Sequence, residues 1–141
     1  MPDEIFANVD VLTPNESELR ILLGLPADAP ASTRDLAVQL RQRGVGTVVV
    51  TMGRNGALIL SDQYDVVVPS APIAVVDTTG AGDAFNAGLA VALAEGRELP
   101  DAVRYAAASG AIACTRLGVI PSLGRRAEVD ALFQTNSGYA R

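Results

Sequence analysis

Five consecutive β-branched residues, Thr47-Val48-Val49-Val50-Thr51, set the strongest limit on what this chain can fold into. Branching at Cβ stiffens χ1 and suits a pleated strand better than a helix. The run shows no polar alternation, so it reads as a strand covered on both faces. Such a strand needs layers on two sides, and its neighbours in sequence can supply them. Thr13-Pro14-Asn15-Glu16-Ser17-Glu18 reads as a helix start, with Thr or Asn to cap it, an early Pro and acids in the first turn. Leu19, Leu22 and Leu23 form its apolar face, and Gly24 ends it. A second helix is predicted from Ser32 to Arg43, with Leu36, Val38 and Leu40 among polar residues and Gly44 and Gly46 behind it.

Shorter strands are expected at Val9 to Thr13, Ala57 to Leu60, Asp65 to Val68 and Ala74 to Val76. Gly53-Arg54-Asn55-Gly56 is a tight turn, and Ser61 to Tyr64 joins two strands as a hairpin. From Gly82 the apolar spacing becomes helical, with Phe85, Leu89, Ala92 and Leu93 on one face and a close near Gly96. Another helix is predicted from about Asp101 to Leu117. Its inner face holds Val103, Ala107, Gly110, Ala111 and Cys114, although Gly110 costs about 1 kcal/mol relative to Ala. Arg126 to Phe133 is the last helix. The alternation of strands and helices predicts an α/β layer fold with a mainly parallel sheet.

Composition narrows the chemistry. The 141 residues include no His and no Lys, so all 11 basic side chains are Arg, and there is one Cys. Without His there is no Ser-His-Asp triad and no His-ligated metal. Without Lys there is no Gly-Lys-Ser/Thr phosphate loop and no Schiff-base lysine. A single Cys excludes an intrachain disulfide and a cysteine zinc cluster. The net charge of −5 is a poor footprint for binding nucleic acid. No apolar stretch reaches the ~18 residues of a transmembrane helix, and Met1-Pro2-Asp3-Glu4 does not open a signal peptide. The expectation is a cytoplasmic protein with neither nucleic acid nor membrane as partner.

One segment carries chemistry: Asp77-Thr78-Thr79-Gly80-Ala81-Gly82-Asp83-Ala84-Phe85. A strand ends, glycines follow and a long helix begins. Glycines let the backbone approach a ligand closely. The free N–H groups of a first helical turn, together with the helix dipole, form an anion hole that needs no lysine. Asp83 lies in that turn, where its carboxylate can take a proton from a hydroxyl attacking phosphorus. The plainer reading is an ordinary acidic helix-start residue. The string is not a dinucleotide fingerprint, because position 85 is Phe where G-x-G-x-x-G needs Gly.

The segment resembles the second signature of the ribokinase-like carbohydrate kinases, the PfkB family, and three further stretches agree in order and spacing. Thr13 to Glu18 resembles that family's N-x-x-E segment, and Thr51-Met52-Gly53-Arg54-Asn55-Gly56 its T-x-G-x-x-G nucleotide loop. Ala113-Cys114-Thr115-Arg116-Leu117-Gly118 to Pro121-Ser122 resembles the segment that follows in the ribokinase subgroup. The resemblance implies a Rossmann-like ribokinase fold, a three-layer α/β/α architecture. It also implies ATP-dependent phosphorylation of a sugar hydroxyl, most simply D-ribose to D-ribose 5-phosphate.

Roles follow at matching positions. Asp83 is implied as the catalytic base, and the backbone amides of Gly80, Ala81, Gly82 and Asp83 as the anion hole. Thr51, Met52, Gly53, Arg54, Asn55 and Gly56 are implied to line the ATP site, although a plain turn explains the same string. Asn15 is implied at the nucleotide phosphates and Glu18 at Mg2+, while capping and first-turn acidity explain the pair without any ligand. An activating K+ is implied at the Asp77 side chain, the carbonyls of Thr79, Ala113, Arg116 and Gly118, and the Ser122 hydroxyl. The alternative is that Asp77 caps a turn and Ser122 is simply surface.

Two features depart from the pattern. Ala107 falls where ribokinases often place a polar residue near adenine, so base recognition is expected to be looser. The chain also begins in the middle of the family pattern. Residues 1–141 correspond to its C-terminal, nucleotide-binding half, without the sugar-binding half and the lid. The alternatives are a nucleotide-binding module without turnover of its own, a kinase for another sugar or nucleoside, and a remnant that self-associates, for example as a homodimer. Cys114 is expected to be a packing residue.

Overall fold

The computed structural model describes residues 3–26, 28–118 and 123–137, and they form two compact units, 1–68 and 69–141. In the first, α1 (Asp3–Phe6) leads to β1 (Val11–Leu12), α2 (Glu16–Leu22), α3 (Thr33–Gln42) and β2 (Thr47–Thr51). A 3-10 turn at Gly53–Asn55, β3 (Ala57–Leu60) and β4 (Asp65–Val68) complete it. The strands form one sheet in the order β1-β2-β3-β4. β1 runs parallel to β2, with Val11 opposite Thr47. β3 is antiparallel to β2, with Val49 opposite Ile59, and β4 is antiparallel to β3, with Ile59 opposite Val66.

The sheet is therefore mixed and mostly antiparallel, which corrects the expectation of a mainly parallel one. The cause is the length of the connections. A parallel pair needs a crossover of a dozen or more residues, and only β1 and β2 have one. The Gly53–Asn55 turn and the Ser61–Tyr64 hairpin are too short for that. In the hairpin, the Ser61 N–H donates to the Tyr64 carbonyl at 2.8 Å.

Period-two alternation sorts the strand residues. Val48 and Val50 of β2 and Leu58 and Leu60 of β3 join Phe6, Leu19, Leu36 and Leu40 in one apolar core. Val49 and Ile59, on the opposite face, are also fully buried, as the unbroken β-branched run demands. α2 and α3 start where the sequence predicts, whereas α1 is not among the predicted helices. Asn15 caps α2, and Ser32 caps α3 by accepting the Asp35 N–H at 3.1 Å. Arg43 lays its guanidinium 4.5 Å from the Phe6 ring centroid, which closes one edge of the core.

The second unit contains α4 (Ala81–Ala94), α5 (Leu99–Ala113) and α6 (Arg126–Ser137). α4 and α5 are joined by four residues and pack against each other through small side chains. A Cβ at Gly88 would fall 2.4 Å from the Ser109 hydroxyl oxygen, and one at Gly110 would fall 3.0 Å from the Ala81 carbonyl oxygen. α6 is held to α5 by an aromatic contact and a hydrogen bond from Tyr105 to Asp130. Tyr105 and Phe133 meet edge to face at 5.6 Å, and the Arg97 guanidinium lies 4.6 Å and 4.9 Å from their respective centroids. Arg126 bridges Glu95 at 2.6 Å and Asp130 at 3.1 Å. Burial first, and then the hydrogen bond its hydroxyl donates to Asp130, raise the Tyr105 phenol above its ordinary value.

Two expectations in this unit are corrected. Ala74 to Val76 is not a strand. Val75 and Val76 are 61% and 59% exposed, and the Val76 N–H donates to the Cys114 carbonyl at 2.8 Å instead of to a sheet. The helix expected to reach Leu117 ends at Ala113, and residues 114–118 are irregular. Among the described residues, no helix is long and apolar enough to cross a membrane.

Candidate functional site

The candidate residues fall into two groups, one in each unit. In the first unit they gather at the carboxyl ends of the parallel pair β1 and β2, the usual place for ligands in α/β sheets. Thr51 closes β2, its N–H donates to the Pro14 carbonyl at 3.0 Å, and it bridges to Asn15. The Asn15 side-chain oxygen accepts the N–H groups of Ser17 at 3.0 Å and Glu18 at 2.9 Å. Glu18 returns the contact, its Oε2 accepting the Asn15 N–H at 2.9 Å. This is a complete capping box, so Asn15 and Glu18 serve the helix whatever else they do. Asn15→Ala is expected to lower stability by about 1 kcal/mol, read as a reduced urea midpoint with unchanged slope.

Thr51 leads directly into the turn. The Met52 N–H donates to the Gly56 carbonyl at 2.8 Å, and the Gly56 N–H donates to the Gly53 carbonyl at 3.1 Å. Gly53 and Gly56 both take positive φ, at 54° and 87°, a conformation that favours glycine. Gly53, Arg54 and Asn55 are exposed, Gly56 is buried, and Thr51 and Met52 lie between. The structure thus brings Asn15, with Glu18 bonded to it, and the 51–56 turn together at the carboxyl ends of β1 and β2.

In the second unit, Asp77 organises the approach to α4. Its Oδ1 accepts the Thr79 N–H at 2.9 Å and the Thr79 hydroxyl at 2.7 Å, and its Oδ2 lies 3.5 Å from the Gly118 N–H. The Thr79 hydroxyl, then the Thr79 amide, hold the Asp77 carboxyl below its ordinary range. Three residues of the predicted cation set, Asp77, Thr79 and Gly118, are therefore in contact, but through the amides of Thr79 and Gly118 and the Thr79 hydroxyl rather than through the predicted carbonyls. Ala113 is buried at the end of α5, and Arg116 is exposed and paired with Glu128. Ser122 lies outside the described residues.

Gly80 then stands at the N-cap of α4, with φ of 79° and no side chain capping the helix. The Gly80 carbonyl accepts the Ala84 N–H at 3.0 Å. Of the amides predicted to form the anion hole, that of Ala81 already donates to the Thr78 carbonyl at 3.2 Å. Those of Gly82 and Asp83 stand in the first turn, where an α-helix offers no acceptor. Asp83 is exposed, and Ala107 is half-buried on α5.

Two contributors had no sequence signal, because both act through the main chain. The Thr78 carbonyl takes the Ala81 N–H. The Cys114 carbonyl takes the N–H groups of both Val76, at 2.8 Å, and Asp77, at 3.1 Å. The Cys114 thiol is buried, and that burial, followed by the nearby Asp77 charge, raises its pKa. Among the described residues there is no group of three or more His, Cys, Asp or Glu that could hold a metal. The protein oxygens present are hard donors carrying few charges. They suit a monovalent cation, or a hydrated Mg2+ that brings its own phosphates, better than a divalent ion caged by protein alone.

A sequence profile described as pfkB family carbohydrate kinase matches residues 1–125. The chain belongs to the pfkB family. Ribokinase from Arabidopsis thaliana is 36% identical over 138 residues, covering 95% of this chain and 36% of that protein. The structure of Arabidopsis thaliana ribokinase complexed with ribose and ATP superposes with a TM-score of 0.85 at 35% identity, covering 94% of this chain and 43% of that one. Ribokinase from Thermotoga maritima gives 0.87 at 36% identity, over 95% and 45%. Phosphofructokinase-2 from Escherichia coli, in complex with potassium, gives 0.82 at 26% identity, over 96% and 44%. The fold is thus a portion of the ribokinase-like α/β fold, and this pfkB-family chain spans less than half the length of the relatives it matches.

Proposed function

We propose that this pfkB-family chain is the nucleotide-binding half of an ATP-dependent sugar kinase, with D-ribose as the first sugar to test. The observation that carries the reading is the uncapped start of α4, with Gly80 in the left-handed region and Asp83 in the first turn. In the proposed reaction a sugar hydroxyl oxygen attacks the γ-phosphorus, its proton passes to the Asp83 carboxylate, and ADP leaves. The Gly82 and Asp83 amides face the charge that develops on the transferring group. The 51–56 turn and Asn15 hold the nucleotide. Asp77, the carbonyls of Thr79, Ala113, Arg116 and Gly118, and the Ser122 hydroxyl would hold K+, whose charge would steady the loop before Asp83. Glu18, with one carboxylate oxygen beyond its capping contact, would face hydrated Mg2+, whose charge would offset that of the phosphates.

A second reading is supported by coverage: the chain spans less than half the length of its relatives. On this reading it binds nucleotide and turns nothing over until a sugar-binding segment is supplied. Titration calorimetry with ATP and Mg2+, with and without ribose, tests both. ATP binding is expected in either case; heat from ribose on this chain alone would show that it holds the sugar without a further segment, and would overturn the second reading. No ATP binding at millimolar nucleotide would overturn the proposal.

A further inference from the structure

Gly110 sits in the interior of α5, where helix propensity favours Ala, so its presence asks for a reason. The packing of α5 on α4 supplies one. A Cβ on Gly110 would stand 3.0 Å from the Ala81 carbonyl oxygen and 3.5 Å from the Phe85 Cβ. Ala81 is the first residue of α4, so the missing methyl group leaves room for the very turn that carries Gly82 and Asp83. The residue that caps the end of α5 also fixes the other end of the loop. One turn further on, the Cys114 carbonyl accepts the N–H groups of Val76 and Asp77.

We propose that Gly110 is a positioning residue. By lacking a side chain it lets α5 seat the first turn of α4, and so sets where the Gly82 and Asp83 amides and the Asp83 carboxylate stand. The consequence for phosphate rests on the kinase reading above; the seating itself does not. A larger residue at 110 pushes on a backbone carbonyl, which cannot rotate away as a flexible side chain can. The displacement then falls on the turn rather than on the helix pair as a whole.

The test compares Gly110→Val and Gly110→Ala with Gly88→Ala, which crowds the same helix pair two turns along α4. Amide hydrogen exchange is followed at Ala84, whose N–H donates to Gly80, and at Glu95, whose N–H donates to Val91 at the far end of α4. ATP affinity is measured by calorimetry on the same samples. Gly110→Val is expected to speed exchange at Ala84 by about tenfold or more relative to Glu95, and to weaken ATP by a similar factor. Gly110→Ala is expected to fall between it and the unmodified chain, and it decides the matter if Gly110→Val does not fold. Gly88→Ala is expected to speed both amides together and to leave ATP affinity unchanged. An Ala84-to-Glu95 ratio unaltered in the Gly110 variants would overturn the proposal. If the unmodified chain binds no ATP, the kinase reading falls and the exchange ratio still decides the role of Gly110.

Discussion

Asp83→Asn abolishes sugar phosphorylation and leaves ATP binding intact: this is the expected result in a catalytically competent form carrying these residues. A positioned general base contributes roughly 10²–10⁴ in rate, and Asn has the same shape without the basic carboxylate. The fold should tolerate the change, because Asp83 is exposed and α4 begins without any side-chain cap. The loss of an acid from the first turn costs about 0.3–1 kcal/mol at a surface site. ATP affinity should stay within about twofold, since the change leaves the 51–56 turn and the α4 amides in place. Single-turnover transfer from labelled ATP, set beside calorimetric ATP binding, separates the two quantities. Near-normal turnover would remove Asp83 from the mechanism.

Gly88→Ala is expected to destabilise the second unit by roughly 1–2 kcal/mol, despite the better helix propensity of Ala. The new methyl group would lie 2.4 Å from the Ser109 hydroxyl oxygen, 2.8 Å from its Cβ and 3.1 Å from the Ala106 Cα. The last two atoms belong to the α5 framework and have no rotamer into which to escape. Ser109 is itself buried, and its hydroxyl donates to the Tyr105 carbonyl at 3.2 Å. Ser109→Ala removes the closest clash, so the double variant should recover part of the loss, with a coupling of about 0.5–3 kcal/mol. Urea unfolding of the four proteins gives that coupling. A Gly88→Ala protein as stable as the unmodified chain would show that α4 and α5 can separate freely at this point.

The strands show how far residue pattern reaches. Thr47 to Thr51, Ala57 to Leu60 and Asp65 to Val68 were legible to the residue, because short apolar runs rich in β-branched residues, set off by the 53–56 turn and the 61–64 hairpin, have few other solutions. Their direction departs from the expected parallel one, although the sequence holds the clue: the 53–56 turn and the 61–64 hairpin allow only antiparallel neighbours. Val75 and Val76 have strand propensity and no sheet to join, and propensity does not report whether a partner exists. At the site, the pattern picked out the 77–85 segment and left the roles of Asn15 and Glu18 open between cap and ligand. The structure adds that the cap is real. What the pattern does not carry is the main-chain arrangement, the Ala81 N–H turned to Thr78 and the Cys114 carbonyl shared by two amides, because any residue type supplies those groups.

The uncapped start of α4 consists of main-chain donors, with Asp83 as the only ionisable group in its first turn. Amides do not titrate near neutral pH, and they are not substrates for acetylation or methylation in the way lysine is. The chain has no lysine or histidine anywhere to stand in for them. Covalent charge-changing control, which acts on phosphate loops built around a lysine, therefore finds no handle on these donors. What adjusts this turn must act through its surroundings: the packing beneath it, the Asp77–Thr79 loop before it and the Asp83 carboxylate beside it.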